Sequence, residues 1–369
     1  MIDHGFSRIT HVQPALPRYR LDFFDRLSRQ YGPSMKVHYS PGSLGALTRT
    51  VDADWAVEAG AMRSVLGKLA WQPGIAGLAV DRGDIVVLSG NPRQLSTMVL
   101  LLRAKLSGAK VIWWGHYWSS TSRKWRQSLR RLPMSLADAI LYYTDQEVLA
   151  HKAESGEPKG SALIAALNNG LDFEPIRKRR APYVAGTRDR ALLFVGRLTA
   201  KANLGLSFEA MARLGAHAPM LHVIGTGVEE DNLRSKAAEL EIGDKVVWHG
   251  ALTNEDAISE VANTCQAFVY PGEVGLSLIH AMAYGLPAIV HDSNNFHMPE
   301  IAAFRNGLTG MSFEHGSVRS LSDAIAAMLA DEDRLLRFSD GAKSVVGPSF
   351  TTEDMASRFI ALVKQLEQD

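Results

Sequence analysis

Short apolar runs, each closed by glycine, proline or a small polar residue and followed by a segment with helical spacing, recur along the whole chain. Residues 7–12, 36–40, 84–89, 109–114, 139–144 and 161–167 form one series; 191–195, 221–224, 245–250, 266–270 and 288–292 form a second. Runs this short and this apolar read as strands buried on both faces. Strand, helix and strand repeated in this way is the pattern of a parallel sheet wound on both sides. At 369 residues the chain is long for one such sheet. Residues 174–190 between the two series are charged, contain proline and glycine, and lack an apolar period, which predicts a linker. The expected organisation is α/β: a first domain over 1–175, a linker over 176–190, a second domain over 191–350, and a final helix over 351–369 whose apolar residues repeat at helical spacing.

Composition narrows the class. A hydrophobic fraction of 46% with 21% charged residues supplies a sizeable core. The single cysteine, Cys265, has no internal disulfide partner, which favours a reducing compartment, and its place before an apolar run makes it a core residue. The first residues have no apolar signal-like stretch, and the longest apolar clusters, such as 98–102, are too short to span a bilayer. The expected location is therefore cytoplasmic. Charge is unevenly spread. Residues 1–180 hold 25 Lys+Arg against 15 Asp+Glu, net +10, and the remainder 15 against 24, net −9. A basic first half suits an anionic partner.

The most informative stretch follows the run at 266–270. Tyr270-Pro271-Gly272-Glu273-Val274-Gly275-Leu276-Ser277 leads into a helical segment that carries His280 and ends at Gly285. Backbone N–H groups at such a turn are unpaired, and the helix dipole adds positive character, so the turn suits a phosphate or diphosphate. Glu273 beside it is a poor phosphate ligand but a good acceptor for sugar hydroxyls, and the pair points to a nucleotide sugar. Upstream, the run at 191–195 is followed by Gly196-Arg197-Leu198-Thr199-Ala200-Lys201. The planar fork of Arg197 and the point charge of Lys201 suit a diphosphate.

Tyr-Pro-x-Glu-x-Gly-Leu-Ser-x-x-x-Ala-Met-Ala-x-Gly-Leu-Pro resembles the donor loop of the retaining glycosyltransferase family 4, and the Gly-Arg-Leu stretch resembles the same family's diphosphate motif. The resemblance, strong over about half the chain, extends to bacterial surface polysaccharide glycosyltransferases. It implies the GT-B fold, two Rossmann-like domains facing a cleft, with the donor in the second domain and a last helix crossing back to the first. It implies catalytic roles for His116, Arg197, Lys201 and Glu273, and donor binding by Gly196, Gly225, Gly250, Gly275, Leu276, Ser277 and His280. Two positions depart from the family pattern. The family lysine stands five residues after the arginine, where this chain has Ala202, with Lys201 one earlier; the family's paired glutamates become Glu273, one position late, and His280.

Other residues take their meaning from position. Arg18 and Arg20 lie in the first strand-to-helix loop, where they either meet an acceptor phosphate or are solvated. His116 follows the strand at 109–114, and loops at the carboxyl ends of such strands line the binding crevice. The stretch 122–132, with Trp125, Leu129 and Leu132 on one face among Arg123, Lys124, Arg126, Arg130 and Arg131, suits either a helix lying on anionic lipid or a packed surface helix. No nucleic-acid module accompanies it. Gly225-x-Gly227 after a strand is a weak dinucleotide signal, because Glu229, Glu230 and Asp231 follow where a pyrophosphate would sit. Glu300 either touches substrate or caps a helix.

The expected activity is transfer of a sugar from a nucleotide diphosphate to a hydroxyl of a glycan acceptor, lipid-linked and at the inner face of the membrane, with retained anomeric configuration. No carboxylate cluster has metal-ligand spacing, so neither metal nor cofactor is expected. The competing readings are another GT-B enzyme, such as a sugar-nucleotide epimerase or phosphorylase, and a catalytically silent sugar-nucleotide binding protein.

Overall fold

A computed structural model describes residues 8–41, 51–117, 132–155 and 162–368. The chain divides into two compact units, one of residues 1–168 with 352–369 and the other of residues 169–351.

The first unit is built on a seven-stranded, wholly parallel sheet. Its strands are β1 (Ile9–Gln13), β2 (Met35–Tyr39), β3 (Ala56–Glu58), β6 (Ile85–Ser89), β7 (Lys110–Trp114), β8 (Ala139–Tyr142) and β9 (Leu163–Ala166), in the order β3-β2-β1-β6-β7-β8-β9. A small antiparallel pair, β4 (Arg63–Leu66) and β5 (Leu69–Trp71), stands apart. Helix α1 (Leu21–Tyr31) buries Phe23, Phe24, Leu27 and Tyr31, a spacing that keeps one face apolar. Helices α2 (Leu95–Ser107) and α3 (Asp145–Ser155) follow β6 and β8. The chain's last helix, here α11 (Thr352–Gln368), packs on α1 in this first unit. It buries Met355, Phe359, Leu362, Val363 and Leu366, and polar contacts fix its start: Thr352 Oγ1 donates to Asp22 at 2.5 Å and Arg358 pairs with Asp145 at 2.9 Å.

The second unit holds a six-stranded parallel sheet in the order β12-β11-β10-β13-β14-β15. Its strands are β10 (Asp189–Val195), β11 (Met220–Ile224), β12 (Val246–Gly250), β13 (Cys265–Tyr270), β14 (Ala288–His291) and β15 (Gly310–Phe313). Around it lie α4 (Glu174–Arg179), α5 (Gly205–Leu214), α6 (Glu230–Glu239), α7 (Glu255–Ala262), α8 (Leu276–Ala283), α9 (Val318–Leu329) and α10 (Glu332–Ser349). All six residues of β13 are buried, as a strand covered on both faces must be.

The expected linker is not a free tether. Residues 174–190 belong to the second unit, which begins at Asn169, and they contain α4 and the start of β10. Phe173, Ile176 and Tyr183 are buried in its core. The Tyr183 hydroxyl donates to the Gln266 carbonyl at 2.5 Å, and the buried Arg188 guanidinium donates to the carbonyls of Ala262 and Cys265 at 3.0 and 2.9 Å. These anchors are too few and too irregularly spaced to show a period. The basic stretch 122–131 lies outside the described residues; Leu132 beyond it is exposed.

Candidate active site

In the second unit, β10 and β13 are neighbouring parallel strands, so the loops leaving their carboxyl ends run side by side. The Glu273 N–H donates to the Lys201 carbonyl at 2.9 Å, and the Lys201 ammonium meets the Glu273 carboxylate at 2.7 Å. A Cβ on Gly272 would lie 2.0 Å from the Lys201 carbonyl oxygen, so glycine is what lets the two backbones approach. Gly196 passes under Tyr270, whose ring stacks on Phe194 at 4.8 Å. Arg197 beside them is exposed and makes no hydrogen bond or ion pair among the described residues. Burial pushes the Tyr270 phenol up to about 12, with the Arg197 charge opposing it, which places that charge close to the loop.

The second loop of the pair leads into α8. Gly275 is its N-cap and supplies no side-chain cap. The N–H groups of Gly275, Leu276 and Ser277 are half-exposed and have no acceptor among the described residues. Together with the dipole of a two-turn helix they form a positively polarised edge next to Arg197 and Lys201 in the fold. The loop is held from behind. His297 Nδ1 accepts the Val274 N–H at 3.2 Å, His297 Nε2 donates to the His291 carbonyl at 2.9 Å, and the Met298 N–H donates to the Val274 carbonyl at 3.0 Å. These contacts require a neutral His297 protonated at Nε2. Burial supports that state by lowering its pKa.

Gly225 and Gly227 serve backbone approach. A Cβ on Gly225, which has φ +142°, would lie 1.8 Å from the Gly196 carbonyl oxygen, and one on Gly227 would lie 2.1 Å from that of Leu198. Gly225 also donates to the Gly250 carbonyl at 2.8 Å, and Leu198 to that of Thr226 at 3.0 Å. Four loops at the strand ends are thereby laced together, and the weak dinucleotide signal dissolves into this packing. His280 Nε2 bonds the Glu255 carboxylate at 2.8 Å, and the Tyr284 hydroxyl donates to the same oxygen at 2.6 Å. Burial works against the Glu255 charge, but hydrogen bonds from His280 and Tyr284 outweigh it and hold its pKa low. Sequence reasoning missed Glu255 and His297; the helix-start pattern Asn254-Glu255-Asp256 and the histidine three residues before Glu300 were the only signals. Glu300 itself is buried and accepts from Asn169.

In the first unit, the His116 ring lies 4.2 Å from that of Tyr143, with Nδ1 3.7 Å from the wholly buried Glu147. Glu147 accepts the N–H groups of Tyr117, Tyr143 and Thr144 at 2.9, 3.0 and 3.1 Å, which fixes the start of α3. Arg18 is exposed. Arg20 is not solvated: it is 6% exposed, with its guanidinium 4.4 Å from the Trp114 ring and 5.5 Å from that of Tyr143. Arg20 and His116 thus share Tyr143, and Arg18 stands outside their cluster. Among the described residues no helix is long and apolar enough to cross a membrane, and no group of three His, Cys, Asp or Glu side chains is placed to hold a metal.

Two Rossmann-like parallel-sheet units, the second with this strand–loop–helix turn, define the GT-B class of glycosyltransferase folds. Residues 175–345, just under half of the chain, match the family model Glycosyl transferases group 1. The chain is similar to the lipopolysaccharide core biosynthesis mannosyltransferase LpsB of Rhizobium meliloti, 26% identical over 140 residues. That match spans 37% of this chain and only 38% of the length of LpsB. In fold it is similar to a glycosyltransferase from Rickettsia africae, at 15% identity and TM-score 0.71 over 98% of both chains. It is also similar to Anabaena HepE solved with UDP, at 13% identity and TM-score 0.67 over 97% of this chain and 100% of that one.

Proposed function

We propose that this protein is a retaining, metal-independent glycosyltransferase that moves a hexose from a nucleoside diphosphate to a hydroxyl of a lipid-linked glycan in bacterial polysaccharide assembly. The observation that carries the reading is the pairing of an exposed, unpartnered Arg197 with the unbonded N–H groups at the start of α8, on loops joined through Lys201 and Glu273. Charge grows on the departing diphosphate as the bond from the anomeric carbon to its oxygen breaks. Arg197, Lys201, the N–H groups of Gly275 and Leu276, and the Ser277 hydroxyl are fixed donors for that charge, which is how such sites lower a barrier. Glu273 orients the sugar hydroxyls and His280, held by Glu255, meets the nucleoside. His116 attends the reacting face and Arg18 the acceptor. The acceptor oxygen forms the new bond, and its proton passes to the leaving diphosphate. The likeness to a lipopolysaccharide core mannosyltransferase and to a UDP-bound neighbour supports the donor and acceptor classes.

The test is binding and turnover across UDP-, GDP- and dTDP-sugars in the presence of chelator, comparing wild type with Arg197→Ala. One donor is expected to bind saturably, to release nucleoside diphosphate slowly, and to bind more weakly to the variant. Binding without release, even with membrane extract as acceptor, establishes a silent binding protein instead, and no binding to any donor refutes the reading. The basic stretch 122–132 is the proposed contact with the inner membrane face from the cytoplasm. Changing Arg123, Lys124, Arg126, Arg130 and Arg131 to Gln is expected to abolish co-sedimentation with anionic vesicles; unchanged sedimentation refutes the membrane role.

A further inference from the structure

Helix α8 leaves only Leu276, Ser277 and His280 outside the core; its other residues are buried. Ser277 and His280 stand three apart and so share one face, which begins at the unbonded N–H groups. His280 is not alone on that face. Its Nε2 lies 2.8 Å from Glu255 Oε1, and the Tyr284 hydroxyl lies 2.6 Å from the same oxygen. Glu255 is the first residue of α7, which follows the loop leaving β12. The contact therefore ties α8 to another loop at the carboxyl ends of the sheet.

The role of each atom follows from charge. Burial disfavours the Glu255 carboxylate, but hydrogen bonds from His280 and Tyr284 and the nearby Arg179 charge outweigh it, and the pKa is lowered. An ionised carboxylate only accepts hydrogen bonds. Burial and the Glu255 charge push the Tyr284 phenol up, so its hydroxyl stays protonated and donates. The ring nitrogen facing Glu255 must then be an N–H. In the neutral ring that leaves the lone pair on Nδ1, which has no partner among the described residues. The Tyr284 ring packs edge to face on the imidazole, at 5.5 Å and 82°, and limits its rotation.

We infer that Glu255 is a positioning residue of the donor site: it holds His280 in the Nε2–H form and so makes Nδ1 an acceptor for an O–H or N–H group of the nucleoside. The inference rests on the glycosyltransferase reading. An imidazole without the carboxylate carries its proton on either nitrogen and presents no fixed polarity. With the carboxylate behind it, position 280 is a neutral acceptor beside an edge polarised for an anion. A carboxylate at 280 would accept equally well, but it would set a second negative charge against Glu255.

Tautomer and affinity are both measured on the full chain, at about pH 8, above the ordinary imidazole range. With nitrogen-15-labelled histidine, two-bond proton–nitrogen correlations identify the protonated nitrogen of each ring, and the signal missing from His280→Asn is that of His280. A proton on Nε2 alone is expected in wild type; a proton on Nδ1, alone or with Nε2, overturns the inference. UDP, GDP and dTDP are titrated calorimetrically into wild type, E255Q, H280E and the double variant. E255Q keeps the shape, but its amide pairs with either ring nitrogen, and it is expected to weaken the best-bound nucleotide about fivefold. H280E sets two carboxylates together and is expected to weaken it about tenfold. Adding E255Q to H280E removes the repulsion and offers an amide N–H to the introduced carboxylate, so the double variant is expected to recover to within about threefold of wild type. A merely structural Glu255 predicts losses that add instead. A double variant no better than H280E, or E255Q with wild-type affinity, overturns the inference. If E255Q does not show a cooperative melt, the wild-type tautomer decides. No nucleotide binding by wild type refutes the glycosyltransferase reading and this inference with it; binding by wild type with the proton on Nδ1 refutes this inference alone.

Discussion

Gly272→Ala tests whether the donor-side loops are held together by backbone contact. The new Cβ would lie 2.0 Å from the Lys201 carbonyl oxygen, 2.6 Å from the Ala202 carbonyl carbon and 2.7 Å from its oxygen. Ordinary non-bonded contact is near 3.5 Å, so the loops must open by roughly 1.5 Å. An opening of that size carries the Glu273 N–H, now 2.9 Å from the Lys201 carbonyl, beyond hydrogen-bond reach. Losing that bond costs about 1 kcal/mol, and forcing atoms into a packed region costs a further 1–3 kcal/mol or so. The Lys201–Glu273 ion pair adds little, because Lys201 is 73% exposed and surface pairs are worth at most about 1 kcal/mol. A total of about 2–4 kcal/mol corresponds to a fall of roughly 4–16 °C in melting temperature for a unit of this size. The fall is measured by circular dichroism, with nucleotide-sugar affinity measured on the same samples and expected to drop. Gly243→Ala is the control, since a Cβ there meets nothing within 4 Å, and it should melt as wild type. A G272A chain that melts within about 1 °C of wild type and binds donor equally well would refute the claim that close backbone approach builds this site.

Two further substitutions probe buried histidines. His11, in β1 against Phe24 and Phe359, has no partner for either ring nitrogen among the described residues, and burial lowers its pKa from 6.5 to about 3. The unfolded chain takes up a proton as pH falls below 6.5 and the folded chain does not, so His11 contributes a stability loss that grows from pH 6.5 down to about 3. His11→Leu is therefore expected to raise the melting temperature increasingly between pH 6.5 and 4; parallel curves for the two proteins would refute this. His297→Phe removes the acceptor for the buried Val274 N–H, at a cost of about 1–3 kcal/mol, and should weaken donor binding more than it lowers thermal stability in proportion to Gly272→Ala. Equal donor affinity for wild type and variant would show that His297 does not position the loop.

How much of this was legible depended on whether the signal was periodic or single. The buried strands at 109–114 and 266–270 announce themselves as uninterrupted apolar runs, and both sheets followed from them. The short β3, β4, β5 and β15 escaped because, unlike the equally short but apolar β8, β9 and β14, they are three residues long or interrupted by polar residues and glycine. Residues 174–190 were misread because Phe173, Ile176 and Tyr183 anchor the segment singly, and burial of isolated side chains leaves no pattern. Arg197 and the start of α8 were readable from a local strand–loop–helix motif. The link from Glu255 to His280 and that from Val274 to His297 were not, since each joins residues more than twenty positions apart through a tertiary contact. Arg20 shows a third case: its position was visible, but only packing reveals that its charge is buried without a carboxylate.

The two departures from the family spacing resolve into one feature. Lys201 stands one residue early and Glu273 one residue late, and the structure brings these two side chains to 2.7 Å while their backbones share a hydrogen bond at 2.9 Å. The cation and the carboxylate therefore face each other across the two neighbouring loops. With Lys201 largely exposed and Glu273 28% exposed, the pair is weak, and under the proposed function a diphosphate would draw the ammonium away at a cost of no more than about 1 kcal/mol. The carboxylate would then be released to accept hydrogen bonds from neutral hydroxyls.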